Sequence, residues 1–391
     1  MSAERAAWIA LAAVPGVGPA THARLVAAFG SATAVLRAGP ADPARLSAVV
    51  GPAGVARLRD GLREATRDPG APLHAVEAQG GWAITPLERI YPSALFAIAD
   101  PPPVLYGLGD PAALGTAGVA IVGTRRPTPL ARWLAARIAR AVVHHGACVV
   151  SGLALGIDAE AHRTAIEAGG RTTAFIGGGF PDGWPRANGP LAAAMIAGGG
   201  AVAGELAPGV PATLGTFPRR NRLIAAVARV TVVVEAPEGS GALITARHAL
   251  EQGRPVLVAV EPAAARHGAG GAALLAGSPA LPLGEPEEVV RWIGSVRRAV
   301  GAAAATASDP QLGPVESSIA AALKPGPAGM DRLVAATRRP AGEVAGALVL
   351  LQARGLARPV GPLWVASGAL LDAGFDPDGA HRRAVSSRSD P

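Results

Sequence analysis

The sequence predicts an α/β protein, built on a doubly wound, Rossmann-like, mostly parallel sheet. A helical domain precedes the sheet and a winged helix follows it. Three observations carry this reading. From residue 118 to about 260, six apolar strand-like runs alternate with five helical stretches, and strands joined by helices pair in parallel. The runs are apolar along their length, as in strands covered on both faces. On either side of this region the apolar residues recur at helical spacing, broken by glycine and proline turns.

Taken in order, residues 1–70 read as short helices, with apolar residues at helical spacing on both sides of PGVGP (15–19). This is helix, glycine-containing turn, helix, the outline of a small helical domain. The turn amides of such a hairpin can hold a phosphate, but the motif is short and the plain structural hairpin is preferred. Residues 71–117 are proline-rich (DPPPVLYGLGDP) and read as an irregular connection. Residues 118–296 hold the strands GVAIVG, CVVSG, TTAFIGG, AVAGEL, VTVVVEA and PVLVAV with their helices. Residues 297–314 read as a linker. Residues 315–367 show three helical patterns and a two-stranded ending around a Gly-Pro pair, which is the outline of a winged helix. Its Arg338 and Arg339 could touch duplex DNA, although a protein-interaction or dimer-support role is preferred. Residues 368–391 read as a flexible tail.

The net charge is +7, spread so that no third of the chain is strongly basic. Any nucleic-acid surface must therefore arise from local clustering. Lys324 is the only lysine and Cys148 the only cysteine. No disulfide framework is expected, and Cys148 reads as a buried small residue in a reducing compartment. No apolar run approaches about 18 residues, so no membrane insertion is expected. The N-terminus reads as a folded segment rather than a signal peptide, and the chain is expected in the cytoplasm.

Ligands of a doubly wound sheet bind beyond the carboxyl ends of its strands. There the chain carries GTRRP (123–127), SGLALGIDAEAH (151–162), GGGFPDGWP (177–185), GELAPGVPATLGTFPRRNR (204–222) and EAPEGSGALITA (235–246). Glycines permit close approach and helix N-termini carry partial positive charge. Arg125, Arg220 and Arg222 add forked donors suited to phosphate. Together the five loops describe one anion-binding edge. Arg219, Arg220 and Arg222 have no carboxylate within six residues on either side, which points to an anion from outside the chain. Neither a G-x-G-x-x-G after the first strand nor a G-x-x-x-x-G-K-[ST] is present, so no nucleotide cofactor is expected. No metal site is expected either, for want of an H-E-x-x-H or a cysteine pair.

Ser151, Asp158 and His162 have the residue types of a hydrolase triad. Ser151 is not framed as G-x-S-x-G, and Asp158 stands where a helix begins, a place for a cap. His162 reads as a hydrogen-bonding or packing residue. Phe180, Trp184 and Phe217 fall in the edge loops. Each ring either stacks a base or packs its loop on the sheet, and for Trp184 and Phe217 both readings stay open.

IVGTR (121–125), SGLALGID with His162, WPRAN (184–188), GELAPG (204–209), FPRRNRLIA (217–225) and VVEAPEGSGALITA (233–246) occur in this order. They resemble the DNA-processing protein A (DprA/Smf) family across the whole α/β domain. The resemblance implies a sequence-tolerant single-stranded DNA-binding protein that protects incoming strands and helps load the RecA recombinase in natural transformation. It implies a first domain of the sterile-alpha-motif or helix-hairpin-helix kind, a homodimer formed through the α/β domain, and no catalytic activity. By motif position the DNA strand would contact Gly123, Arg125, Ser151, Gly152, Gly156, Phe217, Arg220, Asn221, Arg222, Ser240 and Gly241. Asp158 and His162 would be structural, and Arg219 an auxiliary charge. Departures are Pro129-Leu130-Ala131 after GTR, Trp184 in place of a tyrosine, and an altered stretch at 261–276 that lacks the family's asparagine. The competing reading is a Rossmann-like nucleoside-monophosphate phosphoribohydrolase. Its P-G-G-x-G-T with a following glutamate is here APEGSGAL, with Glu238 ahead of the glycines.

Overall fold

The computed structural model describes residues 2–264, 266–293, 312–367 and 370. The linker expected at 297–314 and the tail expected at 368–391 lie outside them, apart from 312–314 and residue 370. The described residues fall into two compact units, one drawn from 1–72, 85–89 and 302–391, the other from 73–84 and 90–301.

The first unit opens with five helices, α1 (Ala3–Ala13), α2 (Pro19–Phe29), α3 (Ala32–Ala38), α4 (Pro43–Val50) and α5 (Val55–Arg67). Local chemistry sets their starts. Ser2, Ser31 and Asp42 each accept a backbone N–H of the first turn they precede, satisfying a donor the helix cannot. Glu4 of α1 takes the amides of Ala32 and Thr33 at 2.6 and 3.1 Å, fastening the start of α3 to α1. Ile9, Leu11, Leu25, Leu46 and Leu62 are fully buried between the helices.

After α6 (Ala71–Glu77) comes a nine-stranded sheet. Its strands are β1 (Trp82–Ile84), β2 (Leu105–Gly109), β3 (Gly118–Val122), β4 (Cys148–Ser151), β5 (Thr172–Phe175), β6 (Ala201–Gly204), β7 (Ala228–Val233), β8 (Val256–Ala259) and β9 (Leu281–Leu283). They lie in the order β1-β2-β6-β5-β4-β3-β7-β8-β9. All six expected strands are present and parallel. Three further strands extend them. The segment 71–117, expected to be irregular, contributes β1 and β2, both antiparallel at one edge. β9 adds a parallel strand at the other.

The connecting helices are α7 (Pro129–His144), α8 (Ile157–Glu167), α9 (Gly189–Ala197), α10 (Thr216–Val227) and α11 (Gly241–Glu251). Strand side chains alternate between two covered faces. Val119 and Ile121 of β3 pack with Leu134 and Ile138 of α7 and Ile157 of α8. Ala120 and Val122 pack on the other face with Leu223 and Ile224 of α10 and Ala242 of α11. The altered stretch 261–276 forms α12 (Val260–Ala264) and α13 (Ala269–Gly277). Gly271 donates to the Ala236 carbonyl at 3.2 Å, and a Cβ on Gly270 would stand 2.7 Å from the Pro237 carbonyl oxygen. Glycine thus lets α13 seat against the turn after β7.

The first unit closes with α14 (Pro314–Leu323), α15 (Met330–Thr337), α16 (Ala341–Ala353) and the hairpin β11 (Ala357–Val360) with β12 (Leu363–Ala366). This is the expected winged helix, with one additional strand, β10 (Ala328–Gly329), on β12. Arg338 and Arg339 follow α15, and Arg339 lies 3.8 Å from Glu343.

Among the described residues no helix is long and apolar enough to cross a membrane. Cys148 is buried and free, and burial lifts its thiol pKa to about 11. Because Ile121 is fully buried in the middle of the sheet, Ile121→Ala should cost about 2–5 kcal/mol. Urea unfolding measures this, and a loss near zero would contradict the two-faced core.

Candidate functional site

The chain runs outward from β3 through β4 and β5 to β6, then returns to place β7 on the other side of β3. The two crossovers diverge at the carboxyl ends of β3 and β7, and such a switch point opens a crevice. Here the crevice is a groove of about 380 Å³, lined by Gly123, Arg125, Asp158, Phe217, Arg220, Asn221, Ser240 and Gly241 among others. It brings together eight of the residues singled out in the sequence. Ser151, Gly152, Gly156, His162 and Arg222 do not line it.

Arg220 forms the floor of the groove. It is 8% exposed, and its guanidinium donates to the carbonyl of Gly152 at 2.7 Å and to the carbonyl of Phe175. Its Nε donates to the Asn221 side-chain oxygen at 3.1 Å, and Asn221 in turn donates to the Gly241 carbonyl at 3.1 Å. One side chain therefore ties the ends of β4 and β5 to α10, and through Asn221 to the start of α11. Burial lowers the guanidinium pKa to about 10, with Asp158 opposing the shift and Arg125 adding to it. Asp158 accepts the amides of Gly152 and Ala154 at 3.1 and 3.3 Å. Burial raises its pKa against the pull of Arg220. It thus holds the turn before α8, where the sequence suggested a cap on the helix itself.

The glycines have packing reasons. A Cβ on Gly152 would meet the Arg220 guanidinium at 2.7 Å and the Asp158 carboxylate at 2.8 Å. Gly156 has φ +85°, and a Cβ there would stand 2.3 Å from the Thr124 carbonyl oxygen. On Gly123 a Cβ would meet Ile157 at 2.6 Å. At Gly241 nothing lies within 4 Å of the added atom, so that glycine opens space beside the groove.

Arg125 is exposed at the mouth of the groove, and its side chain makes no hydrogen bond or ion pair among the described residues. Ser240 caps α11 by accepting from Ala242 at 3.3 Å. Phe217 is half-buried in the first turn of α10 and leans on Gly177, where a Cβ would approach its ring to 2.8 Å. The ring both packs its loop and lines the groove. Phe180 is 1% exposed and belongs to the core, so it offers no stacking surface, and Trp184 is half-buried outside the groove.

Long-range contacts correct the expectations for the arginine cluster and for Ser151, and they show His162 as a buried hydrogen-bonding residue. The arginine cluster does have carboxylate partners, brought from elsewhere in the chain. Arg222 bonds Glu205 at 2.6 Å and lies 3.0 Å from Asp100, while Arg219 lies 3.8 Å from Glu205. Ser151 is fully buried and donates its hydroxyl to the Ile121 carbonyl at 2.6 Å. His162 bonds Thr172 at 2.6 Å, and the Thr172 hydroxyl donates to the Val149 carbonyl at 2.8 Å. Nδ1 of His162 is therefore the donor to Thr172, and neither Ser151 nor Asp158 is its partner. No triad forms.

Two outcomes follow from these contacts. Arg220→Ala would strand a buried carboxylate and two carbonyls, and should cost about 3–5 kcal/mol in urea unfolding. His162 is fully buried with Nε2 unpartnered, and burial, then Arg220, lowers its pKa from 6.5 to about 3. The unfolded chain therefore takes up a proton that the native chain refuses. The stability contribution is whole above pH 6.5 and is lost as pH falls from 6.5 toward 3. Urea midpoints should drop between about pH 7 and about pH 5, and His162→Gln should flatten that drop. An unchanged slope in the variant would refute this source.

Comparison with known proteins bears on this geometry. The sequence profile of DNA recombination-mediator protein A matches residues 82–293. That of the DprA-like N-terminal HHH domain matches 2–60, and that of the DprA winged helix domain matches 303–361. Protein Smf of Synechocystis is 36% identical over 261 residues, covering 66% of this chain and 64% of that protein. DNA processing protein DprA of Bacillus subtilis is 40% identical over 186 residues, covering 47% and 62%. The matched stretch is thus under two thirds of either relative's length. The crystal structure of DNA processing protein A from Streptococcus pneumoniae superposes with a TM-score of 0.60 at 25% identity, over 72% of this chain and 95% of that one. A structure addressing the single-stranded DNA binding mode of DNA processing protein A from Helicobacter pylori gives 0.50 at 28% identity, over 55% and 96%. The main profile covers more than half of the sequence, and on that basis the chain belongs to the DNA recombination-mediator protein A family.

Proposed function

We propose that the chain is a sequence-tolerant single-stranded DNA-binding protein that protects incoming strands and helps load RecA in natural transformation. The observation that carries this reading is Arg125, an exposed cation without a partner among the described residues, at the mouth of the switch-point groove. Around it stand backbone and small polar groups at Gly123, Ser240 and Gly241, and one aromatic face at Phe217. Forked donors take phosphate oxygens, and a ring takes a base of any sequence. The relative from Helicobacter pylori has a described single-stranded DNA binding mode, which supports carrying the ligand class to this chain.

Within this reading the residues divide by role. Arg125, Phe217, Asn221, Ser240 and Gly241 face the strand, and Gly123 shapes its path. Arg220 supports the groove from below. Asp158 lines its wall, Gly152 and Gly156 shape the backbone behind it, and Ser151 and His162 hold the strands beneath. Arg222 is neutralised by Glu205 and Asp100 and takes no part in phosphate binding. The protein acts in the cytoplasm, as a homodimer, and without catalysis of its own. The last point is supported by the failure of Ser151, Asp158 and His162 to converge, and by the position of Glu238 ahead of Gly239 on the groove rim.

The test is Arg125→Ala. Affinity for single-stranded oligonucleotides should fall about tenfold whatever their sequence, and the slope of log affinity against log salt should lessen by about one. Thermal melting should be unchanged, because the side chain is exposed. Fluorescence anisotropy across a salt series measures both, and an unaltered affinity would remove Arg125 from the site.

A further inference from the structure

Helix α7 and the loop before it carry charge that the groove does not use. Residues 125–145 contain five arginines and no acid. Four of the five, Arg125, Arg126, Arg132 and Arg140, are exposed, and their side chains make no hydrogen bond or ion pair among the described residues. On other helices Arg63, Arg67 and Arg163 each meet a carboxylate three residues away. The sequence of α7 offers no such pairing, and like charges along one helix repel unless an anion joins them.

Trp133 stands among these charges. It is 51% exposed, the most exposed aromatic ring among the described residues. Leu130, one turn earlier on the same side of the helix, is 41% exposed. The ring is held in place. Arg137, one turn later, brings its guanidinium to 4.8 Å from the ring centroid, and Glu287 fixes that guanidinium at 2.7 Å. A cation is drawn to an indole face, and a ring ordered before binding loses less freedom on binding. With one face under Arg137, the exposure left to Trp133 lies on its other face and its edge.

The ring is close to the groove. Thr128 caps α7, which begins at Pro129. The four residues from Arg125 to Pro129 span at most about 14 Å, and the four from Pro129 to Trp133 rise about 6 Å. Trp133 therefore lies within about 20 Å of Arg125, inside the reach of a single-strand site of about 4–16 nucleotides.

We propose that single-stranded DNA leaves the Arg125 groove over the start of α7, where one base stacks on Trp133 and the backbone meets Arg126 and Arg132. This deepens the single-strand reading and rests on it. The chemistry selects the occupant. An indole face takes an unstacked base of any sequence, whereas the bases of a duplex are already stacked on one another. A second copy docked by this face about a twofold axis would set the same unpaired arginines against each other. A polyanion with open rings uses both the charge and the indole.

The experiment titrates the full chain with a fluorescent oligothymidylate of about 16 nucleotides across a salt series. Trp133→Ala should lose about fivefold or more in affinity, with thermal melting close to that of the parent protein. Trp133→Leu keeps apolar bulk without the ring and should lose as much, whereas Trp133→Tyr should keep most of the affinity. Stacking quenches an indole, so the parent's tryptophan emission should fall on saturation, and that of Trp133→Tyr should fall less. Arg126→Ala/Arg132→Ala should lessen the salt slope by about 1.4. A Trp133→Ala protein that binds as the parent does, while Arg125→Ala loses affinity, would overturn the stacking station and leave the groove standing. An Arg125→Ala protein that keeps its affinity would overturn the groove reading, and with it the path over α7. A leucine variant as tight as the parent would also sink the proposal. So would altered sedimentation of the DNA-free alanine variant with unchanged affinity, which would assign the ring to a contact between copies.

Discussion

The candidate site depends on one buried guanidinium. Arg220 gathers the Gly152 and Phe175 carbonyls, the Asn221 amide and the field of Asp158 at the point where the sheet changes direction. A buried ion pair contributes little net stability over a well-packed apolar substitute, but removing one partner alone is costly. That asymmetry turns Arg220 and Asp158 into a lock on geometry. With both present, the ends of β4 and β5 and the starts of α8 and α10 have one low-energy arrangement. Asn221 passes that arrangement on to Gly241 at the start of α11, and the exposed groups of the groove inherit their positions from it.

The lock is possible because the surrounding residues are small. Gly152 has no room for a Cβ between Arg220 and Asp158, Gly156 supplies a left-handed backbone, and Gly123 lets Ile157 close over the end of β3. A larger residue at any of these would push apart the groups that Arg220 joins. The glycines that suggested ligand approach in the sequence are mostly there for protein against protein. Gly241, with open space above it, is the exception. Packing at native density leaves few such openings, which is why the open one is informative.

The sheet was legible in the sequence because its signal is local. Each of the six parallel strands is an apolar run, and each is followed by a helix with its own starting residue. β1, β2 and β9 were not legible. They are three to five residues long, and β1 and β2 are held by antiparallel edge pairing that no periodicity announces. At the site, the cluster of groove residues was readable from motif order, but the sorting of the arginines was not. Glu205 and Asp100 reach Arg222 only through the fold, so the absence of acids near Arg222 in the sequence said nothing about its partners.

This sorting of arginines has an electrostatic consequence. An exposed cation without a carboxylate partner binds a phosphate and releases counterions from the nucleic acid, which makes its contribution salt-dependent. A buried or already paired guanidinium has its charge balanced within the protein and adds little to that release. Arg125 has the exposure and lack of a carboxylate partner that the first kind requires. Arg220 and Arg222 are of the second kind, 8% and 5% exposed and committed to protein partners. The number of charges in TFPRRNR therefore overstates the electrostatic footprint of the loop. Two of its three guanidiniums are held by protein partners and fix shape, which leaves little of that charge for an outside anion. In TFPRRNR the guanidiniums of Arg220 and Arg222 are thus committed to the fold, while Arg125 at the mouth of the groove makes no hydrogen bond or ion pair among the described residues.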